Sequence, residues 1–319
     1  MQGGVSRYVD LGGLVHYVDH RGDPGGPVLV LVHGLGGSHL NWALLAPLLA
    51  KQARVLVLDL PGFGLSHPHG RSTTVQANAT LLGRFVRAVV GHPVVLVGNS
   101  MGALVSIVAA TRGPSTTAGL VLVDPALPMA PGTRPDRAVT MSFAAFALPV
   151  VGRLALAHAR RSTAPREQVR RILELCCVDP SVVPDELVAA SVDLAGQRAQ
   201  VPGLDAAFLA AARSLLALNL RRSRAWARID SITVPVLLLH GEQDRLVPVE
   251  SARYAAVRHP EWTVTFFDQV GHVPQLERPA ETAELILSWL AGPGAAAATR
   301  ARGSGELGGT AYPEGNTRR

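Results

Sequence analysis

Apolar positions along this chain fall into short continuous runs separated by stretches of helical spacing. The runs "PVLVLVHG" (27–34), "ARVLVLDLPG" (53–62), "PVVLVG" (93–98), "GLVLVD" (119–124), "VPVLLLHG" (234–241) and "WTVTFF" (262–267) have strand length and are rich in branched residues. Between them "NWALLAPLLA", residues 73–90, residues 100–112 and "ETAELILSWL" (281–290) carry apolar residues at helical spacing. Strands that are apolar on both faces must be covered on both. The alternation therefore predicts an α/β fold, a mostly parallel sheet with helices on both faces. The opening "VSRYVDLGGLVHYVDHRG" reads as two strands around a Gly12–Gly13 turn, a hairpin that would make an antiparallel edge.

Residues 127–230 break this rhythm. They contain no clear strand, much alanine and arginine, and helical segments such as "AAFLAAARSLLALNL" (206–220). The pattern predicts a helical cap or lid inserted into a core made of residues 1–126 and 231–292. Residues 293–319 are small and polar, and the expectation there is a disordered tail.

Composition narrows the classes. With 319 residues, 48% of them hydrophobic and 17% charged, the chain can bury a sizeable core, which excludes a wholly disordered protein. A net charge of +6 raises nucleic acid as a partner. The basic residues, however, are almost all arginine, densest at Arg153–Arg171 and Arg221–Arg228, without the series of aromatics that stacking on bases requires. No nucleic acid is expected; a weak attraction to acidic surfaces is the remaining consequence. Cys176 and Cys177 are neighbours, poorly placed for a relaxed disulfide, and read as free thiols in a helix. The N-terminus lacks the apolar core of a signal peptide, and the most apolar stretch, Val139 to Leu156, is interrupted by Pro149 and Arg153. A soluble, cytoplasmic protein is expected, with peripheral contact as the only membrane association open to it.

The candidate chemistry centres on Gly98-Asn99-Ser100-Met101-Gly102, a G-x-S-x-G pattern where a predicted strand becomes a predicted helix. The string alone is weak; its strand–turn–helix setting gives it weight. A serine hydroxyl needs a base within hydrogen-bond reach, and the base needs an orienting acid. Open parallel sheets collect such groups at the carboxyl ends of their strands. Asp244 follows the strand at 234–241, and His272 follows the last strand. Asp124, ending "GLVLVD", competes with Asp244 for the acid. His33 and His240 directly precede glycine turns and read as loop-stabilising; Asp59 in "DLPGFG" reads as a tie for its loop. No His, Cys or Asp cluster has metal-ligand spacing, and no lysine follows "GLGGS" at P-loop spacing, so neither metal nor cofactor is expected.

The chain resembles the α/β-hydrolase fold family over about residues 5–290. The resemblance rests on "HGLGGS" (33–38), "DLPGFGLS" (59–66), "GNSMG" (98–102), "GEQDRLVP" (241–248) and "GHVPQLERP" (271–279), which occur in the family's order. It implies Ser100 as nucleophile, His272 as general base and then acid, and Asp244 as the carboxylate that orients the imidazole. It also implies an oxyanion hole from the backbone N–H groups of Leu35 and Met101. Because some members place the acid after the preceding strand, Asp124 stays open as the alternative. The implied activity is hydrolysis of a small-molecule carboxylic ester through an acyl-enzyme. Phe143, Phe146, Leu148, Phe208, Leu215 and Leu216 are candidates for an apolar acyl pocket in the cap. Three further readings fit the same residues: a hydrolase that cleaves carbon–carbon bonds in ring-opened dienoates, an acyltransferase or perhydrolase, and a non-catalytic ligand receptor. The first departs from the pattern at Ala103, where those enzymes usually carry glycine, and in the "HGLGGS" loop.

Overall fold

The computed structural model describes residues 3–302. Eight strands form one sheet: β1 (Val5–Asp10), β2 (Leu14–His20), β3 (Val28–Val32), β4 (Arg54–Leu58), β5 (Val94–Asn99), β6 (Thr117–Val123), β7 (Val236–Gly241) and β8 (Thr263–Phe267). Their spatial order is β1-β2-β4-β3-β5-β6-β7-β8. The hairpin β1–β2 is antiparallel and joins β4 antiparallel; every later pairing is parallel.

The continuous apolar runs are the reason for this arrangement. In β3, Val28, Val30 and Val32 enter one core while Leu29 and Leu31 enter the other, as the two-residue period of a strand demands. One face is covered by the helices Val75–Phe85, Met101–Arg112 and Val249–Arg258; the other by Ala46–Leu49 and Pro279–Ala291. Each fully buried leucine or valine contributes about 1.5–3 kcal/mol relative to exposure.

Two expectations need correction. "NWALLAPLLA" is not one helix but a 3₁₀ turn, His39–Trp42, capped by Ser38, followed by the short helix Ala46–Leu49 with Pro47 in its first turn. The tail does not begin at 293: Ala295–Ala301 is a helix whose Ala297, Ala298 and Ala301 are buried. Alanine has the highest helix propensity, and its small side chain lets this helix lie flush on the sheet. The bare backbone of Gly119 receives it; a Cβ there would stand 2.6 Å from that of Ala297. The rest of the expected tail, 303–319, lies outside the described residues.

Between β6 and β7 run six helices of the core's insertion: Arg137–Ala147, Pro149–Ser162, Pro165–Cys176, Asp185–Arg198, Leu204–Leu220 and Arg222–Asp230. Polar ties hold them over the strand ends. Thr73 Oγ1 donates to Ala207 O at 2.6 Å, the Val75 amide donates to Ser214 Oγ at 2.9 Å, and the Arg198 guanidinium donates to the carbonyls of Gly62 and Gly64.

Candidate active site

Ser100 occupies the turn between β5 and the helix Met101–Arg112 at φ +56°, ψ −119°, a conformation that side chains rarely adopt. The packing allows little else. A Cβ at Gly98 would lie 2.5 Å from Ala103 N, and one at Gly102 would lie 2.1 Å from Val32 O, so both flanking positions require glycine. The Ser100 amide donates to Val123 O at 3.0 Å, and its carbonyl accepts from Ala103 and Ala126. These bonds fix the strained turn on the sheet.

Met101 opens the helix, where the first amides have no intrahelical acceptor. Leu35 lies in the loop after β3, directly after Gly34, whose Cβ would stand 3.1 Å from Ser100 Cβ. Two loops thus meet around one serine, and the positive end of a helix faces it.

His272 lies between β8 and the short helix Pro274–Glu277 and is buried, 4% exposed. Its Nδ1 is 2.7 Å from Asp244 Oδ2, which gives Nδ1 the proton and leaves Nε2 as the basic atom. The His272 amide donates to Cys176 O at 2.7 Å, and its carbonyl accepts from Asn99 Nδ2 at 3.1 Å. Asn99 precedes Ser100, so serine and histidine are neighbours through it. The Ser100 hydroxyl is not hydrogen-bonded to His272 among the described residues, a looseness common before substrate binds.

Asp244 Oδ1 accepts from the amides of Leu246 (2.7 Å) and Val247 (3.0 Å). Burial pushes its carboxyl up, but the charge and hydrogen bond of His272 and the Val247 amide together hold it below the ordinary carboxylate range. Asp124 is different. It is fully buried at φ +42°, its Oδ1 accepts from the Gly241 amide at 2.8 Å, and Oδ2 has no partner among the described residues. Burial first, and the charge of Asp244 second, push it well above the ordinary range. Of the two candidate acids, Asp244 accepts from the imidazole, while Asp124 accepts from the Gly241 amide.

Buried His240 donates Nε2–H to Val247 O at 3.0 Å, and burial lowers its pKa. The Nδ1 of His33 bonds to Gly34 O, and its Nε2 accepts from the Leu60 amide. Both side chains brace loops.

Several contributors carry no motif. Glu277 accepts from the Gly271 amide with Oε1 (2.8 Å) and from the Val178 amide with Oε2 (2.7 Å), tying the histidine loop to the inserted helices. Burial raises its pKa. Asn99 could be read from sequence only as a variable position in G-x-S-x-G. A second buried cluster joins Asp59 to His16 Nδ1 and His39 Nδ1, both at 2.8 Å. Two groups therefore bring three potential metal-ligand atoms within 4.8 Å: His16, His39 and Asp59, and Asp124, Asp244 and His272. In each, an imidazole Nδ1 already shares its proton with a carboxylate.

An open α/β sheet with a serine at a strand-to-helix turn, and a histidine–carboxylate pair at the ends of later strands, defines a hydrolase-type scaffold. The chain belongs to the alpha/beta hydrolase family, whose sequence model matches residues 29–285. It is 31% identical over 266 residues to a pimeloyl-(acyl-carrier protein) methyl ester esterase of Aromatoleum aromaticum, covering 82% of this chain and 96% of the relative. It is 30% identical to a 2-hydroxymuconate semialdehyde hydrolase of Pseudomonas sp. strain CF600, covering 84% and 88%. Among solved structures it is similar in fold to Cfl2 of Burkholderia cenocepacia, with a TM-score of 0.75, 23% identity and coverage of 90% and 96%.

Proposed function

We propose that the chain is a serine hydrolase that cleaves carboxylic esters bearing a hydrophobic acyl or alcohol part. The observation that carries this reading is the 2.7 Å bond from His272 Nδ1 to Asp244, set beside a serine held at positive φ. Ser100 Oγ attacks the ester carbonyl and passes its proton to His272 Nε2, while Asp244 stabilises the imidazolium. The amides of Leu35 and Met101 hold the developing oxyanion, each worth about 3–4 kcal/mol in the transition state. His272 then protonates the departing alcohol, and a water activated by the same nitrogen releases the acid.

The apolar preference rests on the inserted helices. Phe146 makes edge contacts with Phe143 and Phe208, and Phe208 reaches within 3.4 Å of where a Cβ on Gly36, beside Leu35, would lie. Leu215 is buried against the same core, and Leu216 is half-buried. Leu148 turns to solvent and lines nothing there. The esterase relative from Aromatoleum aromaticum supports the ester reading. The semialdehyde hydrolase supports a second one, carbon–carbon cleavage of a ring-opened dienoate by the same serine.

A panel of p-nitrophenyl esters of increasing chain length, run beside a ring-cleavage dienoate, tests both. Turnover that rises from acetate to medium chains and vanishes in Ser100→Ala supports the ester reading. Turnover of the dienoate alone overturns it.

A further inference from the structure

The helices Arg137–Ala147 and Pro149–Ser162 have two unlike faces. Inward, Phe143 and Phe146 pack toward Phe208, and a Cβ on Gly152 would stand 2.9 Å from Leu209. Outward, Met141 (64% exposed), Leu148, Val150, Val151 and Leu154 (65%) face solvent. Large exposed aliphatic side chains gathered on one corner are unusual for a surface with no partner.

Charge says what covers them. Residues 137–166 contain five arginines and not one Asp or Glu. Arg137 and Arg153 are exposed beside the apolar side chains, and neither is in an ion pair among the described residues. A protein partner matched to this corner would have to bring both apolar area and unpaired acid. An anionic bilayer surface supplies both at once. No single helix among the described residues is long and apolar enough to cross a membrane, and the two segments Arg137–Ala147 and Val150–His158 meet at 116°. That geometry suits lying in the interface, with arginines at the headgroups and aliphatic side chains below them.

The geometry points to this corner as a docking surface for membranes rich in anionic phospholipid. It deepens the hydrophobic-ester reading and rests on it, because the inner face of the docked helices packs through Phe146 on Phe208, which lies against the loop of Leu35 and Gly36. A substrate leaving the bilayer at this corner would enter beside Phe146 and Phe208.

The test is co-sedimentation of the full chain with sucrose-loaded vesicles of phosphatidylcholine alone or with 30% phosphatidylglycerol. Binding to the anionic vesicles should exceed binding to the neutral ones by about tenfold or more, and should weaken with salt. Arg153→Glu should lower it about fivefold or more, and Val151→Asp with Leu154→Asp should lower it at least as far. Circular dichroism and thermal melts of each variant establish folding. Ser100→Ala must bind vesicles like the wild type, so failure of the ester reading and failure of docking are read separately. Equal recovery with both vesicle types, undiminished binding by Val151→Asp/Leu154→Asp, or a solution dimer dissolved by those substitutions would overturn the inference.

Discussion

Two Ser–His–Asp arrangements occur among the described residues, and by side-chain geometry the one away from the proposed active site is better formed. Ser6 Oγ is 2.7 Å from His16 Nε2, and His16 Nδ1 is 2.8 Å from Asp59. At the other site His272 reaches Asp244, while Ser100 makes no such bond. The difference lies in the backbone. Ser6 is an ordinary residue of edge strand β1, opposite Val18, with no helix starting behind it. Ser100 stands on a strained turn with a helix N-terminus behind and the Leu35 loop in front. Asp59 also accepts from the amides of His39 and Leu65, so it joins β2, the 3₁₀ turn and the "DLPGFG" loop. The first arrangement is a staple that ties loops to the sheet; the second, in the proposed reading, is the one placed to meet developing charge. Hydroxyl, imidazole and carboxylate in series do not make a nucleophilic site unless backbone donors await the oxyanion.

The sharpest way to break this contrast is to remove each serine. Ser100→Ala should lower kcat/KM on the best ester by about 10⁴-fold or more, whereas Ser6→Ala should leave it within about twofold. A fluorophosphonate should label Ser100 alone; a labelled Ser6 peptide in the mass spectrum would erase the distinction. Next in size come the two acids. Asp244→Asn removes the negative charge that fixes the His272 tautomer and stabilises the imidazolium, and should cost about 10³–10⁴-fold in kcat. Asp124→Asn alters a group that is not hydrogen-bonded to His272 among the described residues, keeps an acceptor for Gly241, and should cost less than about tenfold. Equal losses would make Asp124 part of the machinery.

The staple should reveal itself in stability. Asp59→Ala strands two buried imidazoles and two amides and should destabilise the fold by about 3–5 kcal/mol, read by urea unfolding. The sign with pH follows from linkage. Although burial pushes Asp59 up, hydrogen bonds from His16 and His39 hold it far below the 3.8 of a free aspartate. The stability it supplies is therefore present above that value and fades as the pH falls toward the lower folded one. Asp59→Ala should accordingly show a shallower loss on acidification than the wild type.

Much of this was legible in order along the chain. The strands from β3 to β7 announce themselves because burial on both faces forces near-continuous apolar runs, and Ser100 because its turn demands Gly98 and Gly102. Asp59 was legible as a loop tie, but not its partners His16 and His39, which are 43 and 20 residues away and share no spacing with it. The resemblance put Asp244 ahead of Asp124 without giving a physical reason. Both end or follow a strand at the same rim, and only the distance to His272 separates them. The alanines of 295–301 misled because composition alone does not show that Gly119 leaves room for them.

Glu277 sharpens the contrast with the smallest effect. It bridges the Gly271 amide, next to His272, and the Val178 amide of the inserted helices. Glutamine keeps the shape but offers one of those amides an NH₂ group instead of an oxygen, so the His272 loop should loosen and kcat should fall about three- to tenfold. Stability should move otherwise. Burial raises this carboxyl above its ordinary 4.5, so the folded state binds its proton more tightly. The stability it contributes is present below that value and is lost as pH rises through the folded one. Glutamine removes a group whose ionisation burial disfavours and keeps one of the two acceptors, so Glu277→Gln should melt no more than about 2 °C lower. Reduced turnover with an unchanged melting temperature marks a residue that positions the histidine; a fall of many degrees with intact kcat would place it with Asp59 among the staples.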